Sequence, residues 1–253
     1  MTGRLDVVGL GAGDPDWLTP EAKAALDAAD DIVGYAPYVA RVASRPGQAL
    51  HASDNRVEAE RAARAFALAA AGRRVAVVSG GDPGVFAMAA ACVEAMEGGP
   101  AAWRTLDFRV APGVSAMLAA AARLGAPLGG DFCAISLSDN LKPWPLVARR
   151  LAAACDGDFA LALYNPASRA RPSRIRDAFA ILRAGKSGAT PVAFARAVGR
   201  DGESLRVTTL AAADPGQADM ATLVIVGAAS TRTVERPGLA PLLLTPRSQG
   251  EAA

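Results

Sequence analysis

Short apolar runs alternate along this chain with Ala-rich stretches of helical length, and most runs close in glycine, proline or asparagine. Leu5–Leu10 is such a run and ends in glycines, as a strand buried on both faces would. Thr19-Pro20-Glu21 follows with an N-cap residue, a proline for the first helical position and an acid for the first turn. Asp31–Gly34 predicts a second strand, and Val57–Ala71 a helix with a charged face. Val75–Ser79 predicts a third strand and Val85–Met96 a helix. Thr105–Ala111, closed by Pro112-Gly113, predicts a fourth strand, and Val114–Leu124 another helix. This rhythm argues for a mainly parallel sheet with helices on its faces.

The second half has a different pattern. Pro127-Leu128-Gly129-Gly130 reads as a hinge, after which Phe132–Leu137 begins a new set. Strands are expected at Asp158–Tyr164, Thr190–Ala195, Leu205–Thr209 and Ala221–Val226, with helices near Leu146–Ala154 and Arg174–Arg183. From Thr190 onward the strands lie close together with short turns such as Gly199-Arg200-Asp201-Gly202, a hairpin-like pattern that predicts a mixed or antiparallel sheet. The fold class expected is α/β, with two α/β domains and a cleft between them. The boundaries expected are residues 1–125, 126–228 and a tail at 229–253. That tail, rich in Pro, Arg and Thr, is expected to be poorly ordered. No internal repeat is visible.

Composition narrows the function classes. A net charge of +2 gives neither a polybasic nucleic-acid surface nor an acidic tail. The three cysteines, Cys92, Cys133 and Cys155, are widely separated, as reduced thiols of a cytoplasmic protein would be, and form neither a disulfide framework nor a metal site. His51 is the only histidine, so it alone could serve Ser-His-Asp chemistry; a plain surface or loop role is the alternative. Neither a signal-like segment nor an apolar run of transmembrane length appears, so no membrane is expected.

The glycine-rich stretches carry the chemistry. In "VGLGAGDPDWLT" (Val8–Thr19) the dinucleotide spacing fails, because Gly9-x-Gly11-x-Gly13 puts Asp14 where the third glycine should be. Asp30 and Asp31 precede the second strand, whereas a ribose-binding acid would end it. In "SGGDPG" (Ser79–Gly84) the lysine of a phosphate-binding Walker loop is missing. A phosphate there would meet the Asp82 charge with no cation in the loop. A carboxylate suits a ligand with hydroxyl donors or positive charge. S-adenosylmethionine has ribose hydroxyls, a sulfonium and an amino group, and no phosphate. The same residues also read as a simple turn, and the loop alone leaves both readings open. "PGVSA" (Pro112–Ala116) and "LYNP" (Leu163–Pro166) likewise end strands, and ligands of open α/β sheets collect at such ends.

With these motifs together, the chain resembles the tetrapyrrole (class III) methyltransferases from residue 4 to about residue 228. "VGLGAGDPDWLT", "SGGDPGVFAMA", "APGVSAM" and "ALYNPAS" are its general marks. "GYAPYV" (Gly34–Val39), "LGAPLGGDFCAISLSDNLKPW" (Leu124–Trp144) and "GRDGE" (Gly199–Glu203) are similar to the branch of that family that methylates C17 of precorrin-3B in cobalamin biosynthesis. The resemblance implies S-adenosylmethionine as cofactor, held by Ala12, Gly80, Gly81, Asp82, Val85, Ser115, Ala116, Asn165, Ala195 and Thr222. It implies methyl transfer from sulfonium to a ring carbon, accompanied by contraction of the macrocycle to precorrin-4, without a metal. Asp14 is the acid/base candidate for the contraction; a helix cap or turn residue is its other reading. The many substrate carboxylates call for basic groups, and Arg56, Lys142, Arg196 and Arg200 lie in or beside the specific blocks. Asp139 and Asn140 could touch the macrocycle or shape their loop, and Tyr35 and Tyr38 could pack on a flat ring or equally belong to the core. The resemblance also implies a homodimer. A cobalt-loaded substrate of the anaerobic branch, a corrin-sequestering protein of the same fold, and a nicotinamide oxidoreductase stand as alternatives.

Overall fold

A computed structural model describes residues 3–55, 57–168 and 171–248. The chain forms two compact units, Met1–Ala116 and Met117–Ala253.

Unit 1 contains β1 (Arg4–Gly9), α1 (Pro20–Ala28), β2 (Asp31–Tyr35), α2 (Ala36–Val39), β3 (Ala49–Ser53), α3 (Glu58–Ala70), β4 (Arg74–Ser79), α4 (Met88–Gly98) and β5 (Asp107–Ala111). The strands pair in the order β3-β2-β4-β1-β5, and every pairing is parallel. Side chains alternate across a strand, so a buried parallel strand must be apolar on both faces. Leu5, Val7, Val75 and Val77 face a core closed by Phe66 of α3 and by Met88 and Cys92 of α4. Val8, Ala76 and Val78 face a second core closed by Ala22, Ala25 and Leu26 of α1. Each such large apolar side chain removed from water contributes roughly 1.5–3 kcal/mol before chain entropy is subtracted. Local signals set the helices: Thr19 Oγ1 accepts from the Ala22 N–H at 3.1 Å, and Pro20 opens α1. In α3, the spacing Ala62, Ala65, Phe66, Ala69 places one buried stripe on the sheet.

Unit 2 begins with α5 (Ala116–Leu124), whose first residue closes unit 1, and β6 (Gly125–Ala126). It continues with β7 (Phe132–Ser136), α6 (Trp144–Asp156), β8 (Ala160–Tyr164), α7 (Arg174–Gly185), β9 (Pro191–Arg196), β10 (Ser204–Thr209), β11 (Thr222–Val226), β12 (Arg232–Val234) and β13 (Leu242–Leu244). Its main sheet runs β10-β9-β11-β8-β7; only β7 and β8 are parallel, so the hairpin-like spacing was a true signal. Val147 and Leu151 of α6 and Ile175, Phe179 and Leu182 of α7 pack in one core with Leu161, Leu163, Phe194, Val224 and Val226.

The structure departs from the sequence pattern at three places. The segment expected as a poorly ordered tail pairs β12 with β13 and β13 with β6. Buried Thr245 fixes it, donating to the Pro127 carbonyl at 2.6 Å and contacting the Thr231 hydroxyl at 2.8 Å. Half-exposed β3 was missed because its apolar signal is weak. And α4 starts at Met88, three residues later than the pattern of Val85–Met96 predicts.

Candidate active site

In unit 1, β1 and β4 are central neighbours whose connections run to opposite sides, β1 onward to β2 and β4 onward to β5. Their carboxyl ends therefore flank a topological switch point, with the end of β5 beside β1. Three loops meet there. Gly11 and Gly81 exchange backbone hydrogen bonds of 3.2 and 2.9 Å. Both have positive φ, +68° and +70°, which glycine adopts without cost. A Cβ on Gly113 would lie 2.4 Å from the Gly81 carbonyl oxygen, and one on Gly9 2.7 Å from the Gly113 nitrogen. The glycines thus serve first to let three backbones touch.

Asp82 completes this junction. Its Oδ1 accepts from the Gly84 N–H at 2.8 Å, and its Oδ2 from the Gly113 N–H at 3.0 Å. One carboxylate so shapes its own turn and ties the β4 loop to the β5 loop, a role the sequence reading did not give it. Beside the junction, Ser115 is 3 % exposed, and its Oγ has no hydrogen-bond partner among the described residues. A buried hydroxyl without a partner is rare and calls for one. Gly80 is covered by the Tyr38 ring: a Cβ there would lie 2.7 Å from Cζ. Tyr38 in turn meets Tyr35 edge to face at 5.4 Å.

The first loop has its own supports. Asp14 Oδ1 accepts from the Asp16 N–H at 2.9 Å and caps the 3₁₀ turn Pro15–Trp17. Arg41, which the sequence reading missed, reaches this loop from the end of α2. Its Nη2 donates to the carbonyls of Leu10 at 2.8 Å, Gly11 at 3.2 Å and Gly13 at 3.4 Å. Helix α1 begins only at Pro20, with Thr19 bonded both to Ala22 and to the Pro112 carbonyl. A dinucleotide loop would instead lead straight into a helix whose N-terminus faces the pyrophosphate. Ala12 and Val85 are half-buried in the loops that the junction joins.

His51 lies elsewhere. Asp31 Oδ1 is 2.7 Å from His51 Nε2, and Arg64 Nη2 is 2.7 Å from Nδ1. Arginine can only donate, so Nδ1 accepts and the Nε2 proton points at Asp31. Asp31 opens β2, at the sheet end away from the glycine loops. Burial alone would raise its carboxyl, but the hydrogen bonds from Arg73 and His51 hold it below the usual carboxylate range.

In unit 2 the loops around the remaining candidates are held by side chains. Asn165, in the left-handed conformation at φ +53°, donates from Nδ2 to Ser136 Oγ at 2.9 Å and so joins the ends of β7 and β8. Tyr164 Oη accepts from the Met117 N–H at 3.0 Å. Asp139 accepts from Arg174 Nε at 2.7 Å and lies 3.6 Å from Arg171 Nε. Burial works against its charge, yet these cations hold its carboxyl below the usual range. Asn140 is exposed. Half-buried Lys142 has its amine shifted down by burial first and by the nearby Arg150 second. Arg196 donates to Asp219 at 2.9 Å, which also accepts from the Thr222 hydroxyl at 2.8 Å. Ala195 is buried at the end of β9, and Arg200 is exposed at a turn stapled by Glu203, which accepts from the Gly199 N–H at 2.7 Å. Arg56 lies outside the described residues.

The first unit is thus a parallel α/β sheet with a switch point lined by glycine loops, and the second a mixed α/β sheet. The chain matches the family Tetrapyrrole (Corrin/Porphyrin) Methylases over residues 4–214 and belongs to it. It is 54 % identical over 247 residues to a precorrin-3B C(17)-methyltransferase of a Sinorhizobium species, covering 98 % of this chain and 97 % of that protein. It is 41 % identical over 245 residues to a probable cobalt-factor III C(17)-methyltransferase of Salmonella typhimurium, covering 96 % of this chain and 98 % of that one. Among solved structures, the methyltransferase CobJ superposes with a TM-score of 0.91 at 52 % identity, covering 96 % of this chain and 100 % of that one.

Proposed function

We propose that this chain methylates C17 of precorrin-3B, with contraction of the ring to precorrin-4, in cobalamin biosynthesis, using S-adenosylmethionine as methyl donor. The observation that carries the donor site is the junction of unit 1: glycine backbones, the carboxylate of Asp82 and the buried hydroxyl of Ser115, which has no partner among the described residues. That set fits a ligand with hydroxyls and positive charge, and repels a phosphate. The donor, when bound, supplies an electrophilic methyl on a cationic sulfur.

What the chain itself does is position. Gly80, Gly81, Asp82, Val85, Ser115 and Ala116 are proposed for the methionine part, with Ala12 at the first loop, and Asn165, Ala195 and Thr222 for the adenine. Asp82 fixes the loop through Gly84 and Gly113, so the donor meets a surface already in place. A surface already in place would reduce the entropy lost in bringing the ring carbon against a bound methyl donor. Asp14 is the residue proposed to move a proton during contraction, from a position set by its bond to Asp16. Lys142, Arg196 and Arg200 are proposed for the substrate carboxylates, and Asn140 for a further substrate contact. Asp139 acts there by holding its loop to Arg171 and Arg174. Homodimeric assembly and a cytoplasmic location complete the proposal; no helix among the described residues is long and apolar enough to cross a membrane.

Mass spectrometry of the tetrapyrrole after incubation with precorrin-3B and S-adenosylmethionine tests the reaction. A product one methyl heavier, with the optical spectrum of a contracted ring, is expected. An unmodified tetrapyrrole would overturn the proposal, and the cobalt complex would then be tried, as the 41 % identity to the cobalt-factor III relative suggests.

A further inference from the structure

Apart from the glycine junction of unit 1, unit 2 carries a cavity of about 540 Å³. It lies between the loop after β8, the first turn of α7 and the segment that leads into β11, and Ser168, Ile175, Arg176, Ala218, Asp219 and Met220 line it. That volume is within the range of small-molecule sites. None of the residues proposed above for the donor or the substrate is among the lining residues, although Ala221, which is, directly precedes Thr222.

The polar groups around the cavity are not equally occupied. Asp219 is engaged on both oxygens: Oδ2 accepts from Arg196 Nε at 2.9 Å, and Oδ1 from the Thr222 hydroxyl at 2.8 Å and the Ala221 N–H at 3.0 Å. Asp214, just outside the lining, accepts from the Gly216 N–H at 2.9 Å. Arg176 and Ser168 differ from these acids. The exposed Arg176 side chain makes no hydrogen bond or ion pair among the described residues. A Cβ on Gly216 would lie 3.8 Å from Arg176 Nη2, which sets the guanidinium beside the Gly216 backbone. Ser168 Oγ is buried and has no partner among the described residues, while the backbone of Ser168 is fixed by hydrogen bonds of 3.3 and 2.9 Å with Arg171. A buried hydroxyl left unsatisfied is uncommon, because its lost hydration is not offset.

We propose that this cavity is a binding site for a carboxylate on a short apolar stem. Arg176 supplies the charge and Ser168 a hydroxyl donor, the two kinds of group that a carboxylate accepts from. Ile175, Ala218 and Met220 form an apolar wall for the stem, and Met220, 52 % exposed, carries that wall to the mouth. A cationic ligand is disfavoured, since it would meet Arg176 with Asp219 already paired to Arg196. A phosphate has no stem to place against Ile175 and Met220. The site stands on these residues alone; only one of its two sources of ligand rests on the reaction proposed above. That source is a carboxylate-bearing arm of the tetrapyrrole, and the other is a free monocarboxylate.

The probe is sodium propionate, with propionamide as its uncharged isostere and sodium chloride at equal ionic strength as control. Amide signals of the full chain are followed by nuclear magnetic resonance. Propionate should shift those of Gly216, Ala218 and Met220 saturably, and propionamide and chloride should not. Arg176→Gln should weaken the propionate Kd about tenfold and Ser168→Ala about fivefold, both with Tm unchanged. Absence of saturable shifts, equal shifts with propionamide, or a Kd indifferent to both substitutions overturns the inference. Absorbance titration of precorrin-3B then separates the two sources. A Kd raised by saturating propionate in the parent, and raised about tenfold by Arg176→Gln, assigns the cavity to an arm of the tetrapyrrole. A Kd unmoved by either assigns it to a free carboxylate. A chain that binds propionate here but fails to methylate precorrin-3B removes the proposed reaction and leaves this site standing.

Discussion

In unit 1 the loops after β1, β4 and β5 touch through backbone atoms, whereas in unit 2 the loops after β7, β8 and β9 are tied by charged side chains. The first arrangement leaves no room for a Cβ at Gly9 or Gly113. The second depends on Asp139 with Arg171 and Arg174, on Asp219 with Arg196, and on Glu203 with Arg123. The first junction rests on close backbone contact with one carboxylate, Asp82, tied across it to backbone N–H groups; the second rests on carboxylate–arginine pairs, which are acid-sensitive.

The largest effect should come from filling the backbone junction. Gly113→Ala would drive a Cβ against the Gly81 carbonyl, and neither strand end can yield without moving the other. We expect a stability loss of about 3 kcal/mol in urea unfolding. A variant as stable as the parent would show that the junction is looser than the glycines imply.

A smaller effect should follow in unit 2. Asp139→Asn removes the anion between Arg171 and Arg174, and Tm should fall by about 2–4 °C at neutral pH. Because the folded-state carboxyl titrates below its usual range, its contribution is fully present above that range, near pH 4, and is lost as the pH falls through the lowered value. The gap between parent and variant should therefore close in acid. A gap that persists unchanged at low pH would mean that the charge pair does not hold this loop.

The same contrast explains what the sequence made legible. The strands of unit 1 stood out because double burial demands near-continuous apolar runs such as Val75–Ser79, and the glycine loops because glycine is needed where backbones touch. Three structural features of those loops were not legible. Arg41 acts across thirty-odd residues of chain on carbonyls that carry no sequence signal. Asp82 bonds to a backbone N–H 31 residues away. Phe86 breaks a helical pattern that periodicity alone would extend. In unit 2, Asp139, Arg196 and Thr222 were singled out, but their partners Arg171, Arg174 and Asp219 were not, because charge pairing across loops follows from the fold and leaves no fixed spacing.

The central claim is that the junction of β1, β4 and β5 is the methyl-donor site, and Ser115 tests it most directly. Its hydroxyl is buried without a partner among the described residues, so Ser115→Ala removes no hydrogen bond seen there. Calorimetric titration of S-adenosylmethionine into parent and variant should show a Kd about five- to tenfold weaker in Ser115→Ala, the value of one hydrogen bond, with Tm unchanged or slightly higher. Equal affinity in the two proteins would contradict the assignment and leave that hydroxyl without a ligand.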